Sequence, residues 1–180
     1  IAGDDPMLLS QMDPDKVSRA NKAMAKAYKP ARERITEFKI NWNIVSWPGS
    51  AWASRVFPEL PLDEAIVKLA DAIFDASRAS VDDPIQAWDD HNEKLRIKTN
   101  WLNEKNFAAL QYNGPNTNLR VGLADEHEWM GGASKAQNGI TCNPNIPSEE
   151  VFTTPHAYKV DGPVSSTKPL SYQGTLIDDI

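Results

Sequence analysis

The sequence predicts an α/β fold of the mixed α+β kind, with helices in the first part of the chain and short strands in the last. Apolar residues recur at helical spacing up to about residue 105 and alternate with polar residues beyond it. With 180 residues and 41% hydrophobic content, the chain can bury a sizeable core. We therefore expect two units, an α/β unit over residues 1–105 and a strand-rich unit over residues 106–180.

The first predicted helix has Asp13 as its N-cap and Pro14 at its first position, a pair that favours helix starts. Because proline has no backbone N–H, Pro30 is expected to kink or end this helix. The residues that recur at helical spacing and should form its buried face are Val17, Ala20, Met24, Ala27 and Tyr28.

A short buried strand is predicted at Ile44 and Val45, which lie between tryptophans and before a Pro-Gly pair. Residues 61–79 then form the clearest amphipathic helix, with two acids in the first turn, where the helix dipole favours them. The predicted apolar stripe of this helix consists of Leu62, Ala65, Ile66, Leu69, Ile73 and Phe74.

A further helix is predicted to begin at Pro84, with Asp83 as its N-cap. His91 lies among charged residues in this helix, so we expect its side chain to face solvent. The positions expected on the buried side are Ile85, Trp88, Leu95 and Leu102.

Strands are expected at "FAALQY" and "NLRVGL", joined by a turn at "NGPNT". The irregular stretch that follows, residues 124–148, is long for a loop and is typical of a functional segment or a partner contact. Strands are then predicted to resume at "EVFTT", "AYKV" and "GTLI".

The composition argues against several classes of protein. The formal net charge is −6, so nucleic acid and anionic membrane surfaces are not expected partners. No apolar run approaches the roughly 20 residues of a membrane span. The single cysteine, Cys142, excludes an internal disulfide and a cysteine-rich zinc site, and it fits a reducing cytoplasm. Because the chain starts without methionine and stops without a polar tail, we expect the functional unit to be longer.

Phosphate-loop, dinucleotide-binding and serine-hydrolase motifs are absent, and "HEWMG" lacks the second histidine of a zincin helix. Cys142 has no neighbouring base, which favours a structural cysteine over a nucleophile. His127 is interpreted as a surface histidine rather than a ligand. Trp129 is interpreted equally well as a substrate wall or as a loop anchor. His156 has no evident partner.

The adjacent acids Glu149 and Glu150 precede the apolar pair Val151 and Phe152. In a strand, adjacent side chains point to opposite faces, so only one of the two acids could face a given site. A carboxylate among apolar neighbours is costly unless it is paired or binds a cation. From the residues alone, both a charged strand entrance and a metal ligand remain open.

Four segments in order along the chain resemble the metal-dependent aminopeptidase family of aminopeptidase T, aminopeptidase S and PepS. They are "SWPGSAWASRVFPELPLDEA", "LNEKNFAALQYNGPNTNLRVGL", "HEWMGG" and "NPNIPSEEVFTTPHAYKVDGPVSSTKPLSYQGTLID". The last is the most specific, because N-I-P-[ST]-E-E-V-F-T followed by V-D-G and P-L-S-Y-x-G is not a generic pattern.

The resemblance implies a cytoplasmic exopeptidase that removes N-terminal residues from peptides with two divalent metal ions, variously zinc, cobalt or magnesium. It implies the end of an N-terminal α/β domain over residues 1–105 and the incomplete start of a catalytic domain over residues 106–180. It also implies a homodimer whose active sites face an internal cavity. The second glutamate of E-E-V-F is a family metal ligand, which is Glu150 here, and Glu149 would then serve structure or support that ligand. The other ligands, and any catalytic residue, would lie beyond this chain, which alone should be inactive.

Two departures from the family pattern stand out. Asn118 replaces the usual aspartate of a turn, and Ser148 replaces the commoner threonine. His127 and Trp129 match a family H-x-W pattern and are expected to shape the cavity rather than bind metal. The alternative to an enzyme is a noncatalytic peptide-binding or scaffolding protein that keeps the fold without a working metal site.

Overall fold

The computed structural model describes residue 5 and residues 8–168, together with the backbone of residues 170–172 and 175–177. Its helices and short strands confirm the mixed α/β class. The helices are α1 (Pro14–Thr36), α2 (Ser50–Val56), α3 (Leu62–Ala76) and α4 (Pro84–Lys105). None of the helices in the described ranges is long and apolar enough to cross a membrane.

The strands are short and form several small sheets. They are β1 (Ile44–Val45), β2 (Ala109–Gly114), β3 (Thr117–Leu123), β4 (Ser134–Lys135), β5 (Thr141–Cys142), β6 (Asn145–Ile146), β7 (Pro155–Asp161), β8 (Leu170–Tyr172) and β9 (Thr175–Ile177). The largest described sheet is antiparallel, in the order β2-β3-β7. β1 pairs with β6 in parallel, which joins the helical part to the irregular stretch, and β4-β5 and β8-β9 are antiparallel pairs.

Both predicted N-caps are confirmed. The Asp13 carboxylate accepts a hydrogen bond from the Asp15 N–H, and that of Asp83 accepts one from the Gln86 N–H. Of the two effects expected of Pro30, a kink or an end of the helix, the end does not occur, because α1 continues to Thr36. A proline removes one internal hydrogen bond, and the turns on either side of it still form.

The predicted inner face of α1 is largely exposed. Val17 is buried, whereas Met24 and Tyr28 are 65% and 51% exposed. The strand β1 is confirmed, but its predicted burial is wrong, since Ile44 and Val45 are both exposed. The described residues therefore leave most of both surfaces open to solvent.

The main apolar core lies between α2 and α3. Ala53 from α2 packs with the α3 stripe residues Ala65, Leu69 and Ile73, and the side chains that flank this cluster are Trp52, Phe57, Leu60 and Ile66. Leu62 and Phe74 were expected in the same stripe but are 46% and 49% exposed, so the buried stripe of α3 is narrower than predicted.

The buried face of α4 differs from the prediction at two positions. His91 is buried, not solvent-facing, and Ile85 is 77% exposed. The buried residues of α4 are His91, Leu95 and Thr99, which recur every four residues and so lie on one side of the helix. Trp88 and Leu102 are half-buried at either end of this stripe.

The hairpin and most of the later strands follow the prediction. β2 and β3 are joined by a two-residue turn, and Asn118 accepts a hydrogen bond from the Gln111 side chain. "AYKV" lies within β7, and β9 covers Thr175–Ile177 of "GTLI", whose Gly174 lies outside the described residues. The strand predicted at "EVFTT" is wrong, because its only ladder contact is a single bridge from Phe152 to Met130.

Replacing Leu95 by alanine tests the α4 packing. Leu95 is 1% exposed, so we expect Leu95→Ala to lower the free energy of unfolding by about 2–5 kcal/mol through the cavity it leaves. The matched control is Ile97→Ala on the same helix, where a 57% exposed side chain should cost less than about 1 kcal/mol. Urea unfolding measures both, and equal losses would contradict the assigned α4 face.

Candidate metal-binding site around Glu150

The two adjacent acids lie in a short irregular stretch between β6 and β7, residues 148–152, which we call the acidic segment. Ser148 is buried at its start, while Glu149 and Glu150 are both exposed. Two separate anchors hold the segment, one on each side of Glu150.

The first anchor is an ion pair between Glu149 and Arg78. Glu149 Oε1 lies 2.6 Å from Nη1 of Arg78, and Oε2 lies 3.7 Å from Nε2 of His91. The Nη1 atom is buried and has no aligned hydrogen bond, so this carboxylate is its counter-charge within the described part of the chain. Contact with the guanidinium lowers the pKa of Glu149 below its ordinary value of 4.5, although partial desolvation opposes the shift. Glu149 is therefore ionised at neutral pH.

Arg78 is held in place by the end of α3 and the start of α4. It follows the α3 C-cap with a left-handed φ of 57°, and its N–H donates to the Asp75 carbonyl. Its guanidinium carbon lies 5.3 Å from the centre of the Trp88 ring, a favourable cation–π distance. Trp88 in turn donates its indole N–H to the Ser77 carbonyl at 2.8 Å, which fixes the ring against the turn that carries Arg78.

The hydrogen bonds of His91 fix its tautomer. Nδ1 lies 3.1 Å from Nη2 of Arg78, and because a guanidinium only donates, Nδ1 must be the unprotonated acceptor. Nε2 then bears the hydrogen and donates it to the Ser148 carbonyl at 2.6 Å. His91 therefore links Arg78 to the backbone of the acidic segment.

The second anchor is a backbone contact between the acidic segment and the loop after β3. Met130 and Phe152 exchange two N–H to carbonyl hydrogen bonds of 2.9 and 2.8 Å. Next to this pair, Gly131 lies so close that an added Cβ would be 2.8 Å from the Glu150 carbonyl oxygen. The hydroxyl of Thr153 also donates to the Glu128 carbonyl at 2.7 Å.

Trp129 acts as an anchor of this loop. Its backbone N–H donates to Asn103 Oδ1 at 2.7 Å, and its carbonyl accepts from Asn103 Nδ2 at 3.1 Å. The side chain is only 8% exposed, and the half-buried ring of His127 lies edge-on to it at 6.5 Å. Trp129 also lines a cavity of about 280 Å³, together with Leu110, Tyr112, Val121, Leu123, Val151, Phe152, Thr153 and Pro155.

Glu150 differs from Glu149 in having no partner among the residues that the structure describes. Its side chain is exposed and makes no hydrogen bond or ion pair with any residue that the structure describes. Carboxylate oxygen is a suitable ligand for zinc, cobalt, manganese and magnesium. Within the described ranges no three His, Cys, Asp or Glu side chains cluster as a metal site would require. The described residues therefore offer one unpaired carboxylate rather than a complete metal site.

The remaining candidates show no catalytic arrangement. Cys142 is a free, half-buried thiol at the end of β5. Nδ1 of His127 contacts the Ala124 carbonyl, and Nδ1 of His156 accepts a hydrogen bond from the Tyr158 N–H. Cys142 thus fits a structural cysteine, whereas His127 is half-buried against Trp129 rather than the surface histidine that was expected.

A protein-family model, thermophilic metalloprotease (M29), matches residues 1–180, the whole of the chain. The chain belongs to the M29 family. This result confirms the resemblance drawn from the acidic segment and its neighbours.

Similar proteins include aminopeptidase T of Thermus thermophilus, 51% identical over all 180 residues, and aminopeptidase 2 of Geobacillus stearothermophilus, 44% identical over 178 residues. The solved structure of wild-type AmpT from Thermus thermophilus superposes with a TM-score of 0.86 at 48% identity and covers 98% of the chain. The chain spans less than half of these proteins, 44% and 43% of the two relatives and 43% of the AmpT chain.

Sequence reasoning missed Arg78 and His91. For His91 a signal was present, because it lies three residues after Trp88 and four before Leu95, on the stripe predicted to be buried. For Arg78 the sequence holds no comparable signal, since its contact with Glu149 joins residues far apart in the chain.

The close approach of Gly131 is testable by Gly131→Ala. The new methyl group would meet the Glu150 carbonyl oxygen and the Val151 side chain, so the backbone must shift. We expect a loss of about 1–3 kcal/mol in the free energy of unfolding. Gly114→Ala is the control, because the nearest atom to its added Cβ is 3.9 Å away. Denaturant unfolding in which both variants match the parent protein would refute the close contact.

Proposed function

We propose that the chain is part of a metal-dependent aminopeptidase that releases N-terminal residues from peptides, and that Glu150 is one of its metal ligands. The observation that supports this most is the unpaired carboxylate of Glu150, held between two anchors in a member of a metalloprotease family. The similar proteins named aminopeptidase T and aminopeptidase 2 support the proposal that the peptidase acts on N-terminal residues.

The residues present fit a metal site in part. Glu150 supplies a hard oxygen donor that no other described group neutralises. One carboxylate cannot hold two ions, so we place the remaining ligands in the part of the protein that this chain does not include. Residues 1–180 alone should therefore be inactive, whatever the activity of the intact protein.

We further propose two divalent ions per site, zinc, cobalt or magnesium, in a cytoplasmic homodimer. When bound, such a pair of ions polarises the scissile carbonyl and lowers the pKa of water. The task of this chain in that reaction is to hold the Glu150 carboxylate at a fixed place. Peptides are the proposed substrates. We assign residues 1–105 to the end of an N-terminal α/β domain and residues 106–180 to the start of the catalytic domain.

The variant Glu150→Gln in the full-length protein tests the ligand assignment. The amide keeps the size of the side chain but loses the negative charge, so we expect lower metal content and a fall of about 100-fold or more in kcat/KM. Metal analysis and release of an N-terminal residue from a short peptide measure the two effects. Glu104→Gln, at an exposed position of α4, is the control. Unchanged metal content and activity in Glu150→Gln would show that Glu150 binds no metal.

Metal removal tests the reaction class separately from any one residue. Dialysis of the full-length protein against a chelator should abolish release of N-terminal residues, and added zinc, cobalt or magnesium should restore it. Full activity in protein shown to be metal-free would refute the metallopeptidase proposal. Absence of peptide hydrolysis in the metal-loaded full-length protein would instead favour the noncatalytic alternative.

A further inference from the structure

We propose that Arg78 and His91 are positioning residues for the metal ligand Glu150, acting through the Glu149 carboxylate and the Ser148 carbonyl. The inference rests on the proposed role of Glu150 and adds to it. Neither residue touches Glu150, and both contact the residues immediately before it.

The contacts fix two consecutive residues of the acidic segment. His91 holds the Ser148 carbonyl at 2.6 Å, and Arg78 holds the Glu149 carboxylate at 2.6 Å. Consecutive Cα atoms are about 3.8 Å apart, so the backbone that enters Glu150 has little freedom once both contacts exist. The Met130–Phe152 pair restricts the chain on the far side.

The groups that make these contacts are themselves rigidly held. Arg78 lies against the Trp88 ring, and its Nη2 donates to His91 while its Nη1 pairs with Glu149. The planar guanidinium therefore sets the two contacts at a fixed angle to each other, which a lysine ammonium could not do. His91 lies on α4, and a helix positions a supporting side chain more precisely than a loop does.

The stability that the ion pair contributes is too small to explain this arrangement. The Glu149 side chain is 60% exposed and that of Arg78 is 24% exposed, so solvent screens the pair in part, and ion pairs at a protein surface typically contribute about 0–1 kcal/mol. Metal affinity depends more steeply on orientation, since loss of a group that orients a ligand typically weakens binding by about 10- to 100-fold. The expected effect of the pair is therefore on the affinity of the site for metal.

The test uses the full-length protein with the variants Arg78→Met, Glu149→Gln and the two combined. Competition with a chromogenic chelator gives the dissociation constant for zinc and for cobalt, and urea unfolding of metal-free protein gives the stability. We expect each single variant to raise the metal dissociation constant by about 10- to 100-fold. The double variant should be little worse than either single one, because the two residues act through one contact.

The control Arg96→Met removes another Arg–Glu ion pair of the same chain, that of Arg96 with Glu93, and should leave metal affinity unchanged. If Arg78→Met does not fold, Glu149→Gln decides, because it alters an exposed side chain. Metal affinities within about twofold of the parent in folded Arg78→Met and Glu149→Gln would overturn the positioning role. A purely structural role would lower stability alone.

Glu150→Gln separates failure of this inference from failure of the proposed function. If Glu150→Gln loses metal while Arg78→Met and Glu149→Gln keep it, Glu150 is a ligand and only the positioning role is wrong. If Glu150→Gln also keeps its metal, the ligand assignment is wrong and the positioning role falls with it.

Discussion

One face of α4 supplies polar contacts that order residues 124–148, the long stretch that contains the two-residue strands β4, β5 and β6. A loop of this length has backbone groups that neither a helix nor a ladder satisfies, so side chains must do so. His91 contacts the Ser148 carbonyl, Asn92 accepts from the Ala133 N–H, and Asn103 bonds both backbone groups of Trp129. These positions lie on one side of the helix, which therefore fixes the loop over much of its length.

The reciprocal amide contact between Asn92 and Asn143 extends this pattern to the residues before the acidic segment. Leu95 lies close to the same loop, because a Cβ added at Gly132 would be only 3.2 Å from its Cδ1. The inner face of α4 thus combines one buried leucine, Leu95, with polar side chains whose hydrogen bonds are made mostly to the backbone of the loop. These contacts with α4 therefore help to fix the position of the acidic segment.

Much of this fold could be predicted from local sequence signals. Of the candidate site, only Glu150 was predicted, and that prediction came from a family motif. Asp13 and Asp83 cap their helices as expected because capping depends on neighbours a few residues away. The burial of His91 and the exposure of Ile44 depend on which elements pack together, which periodicity does not specify. Glu150 was identified by resemblance to a family motif, whereas Arg78 meets Glu149 only through the tertiary fold. The prediction that Glu149 and Glu150 point to opposite faces assumed a strand that is absent. The two acids nevertheless differ in their partners.

That difference has an electrostatic consequence. Two adjacent carboxylates repel each other, and a site for cations must keep negative charge where the ion binds without unfolding the segment that supplies it. The Arg78 guanidinium compensates the charge of Glu149 and leaves that of Glu150 uncompensated. Since Glu150 is exposed, its free charge costs this chain little desolvation energy. Of the two adjacent acids, Glu149 is therefore neutralised by Arg78, and Glu150 is left with a negative charge that is available to a cation.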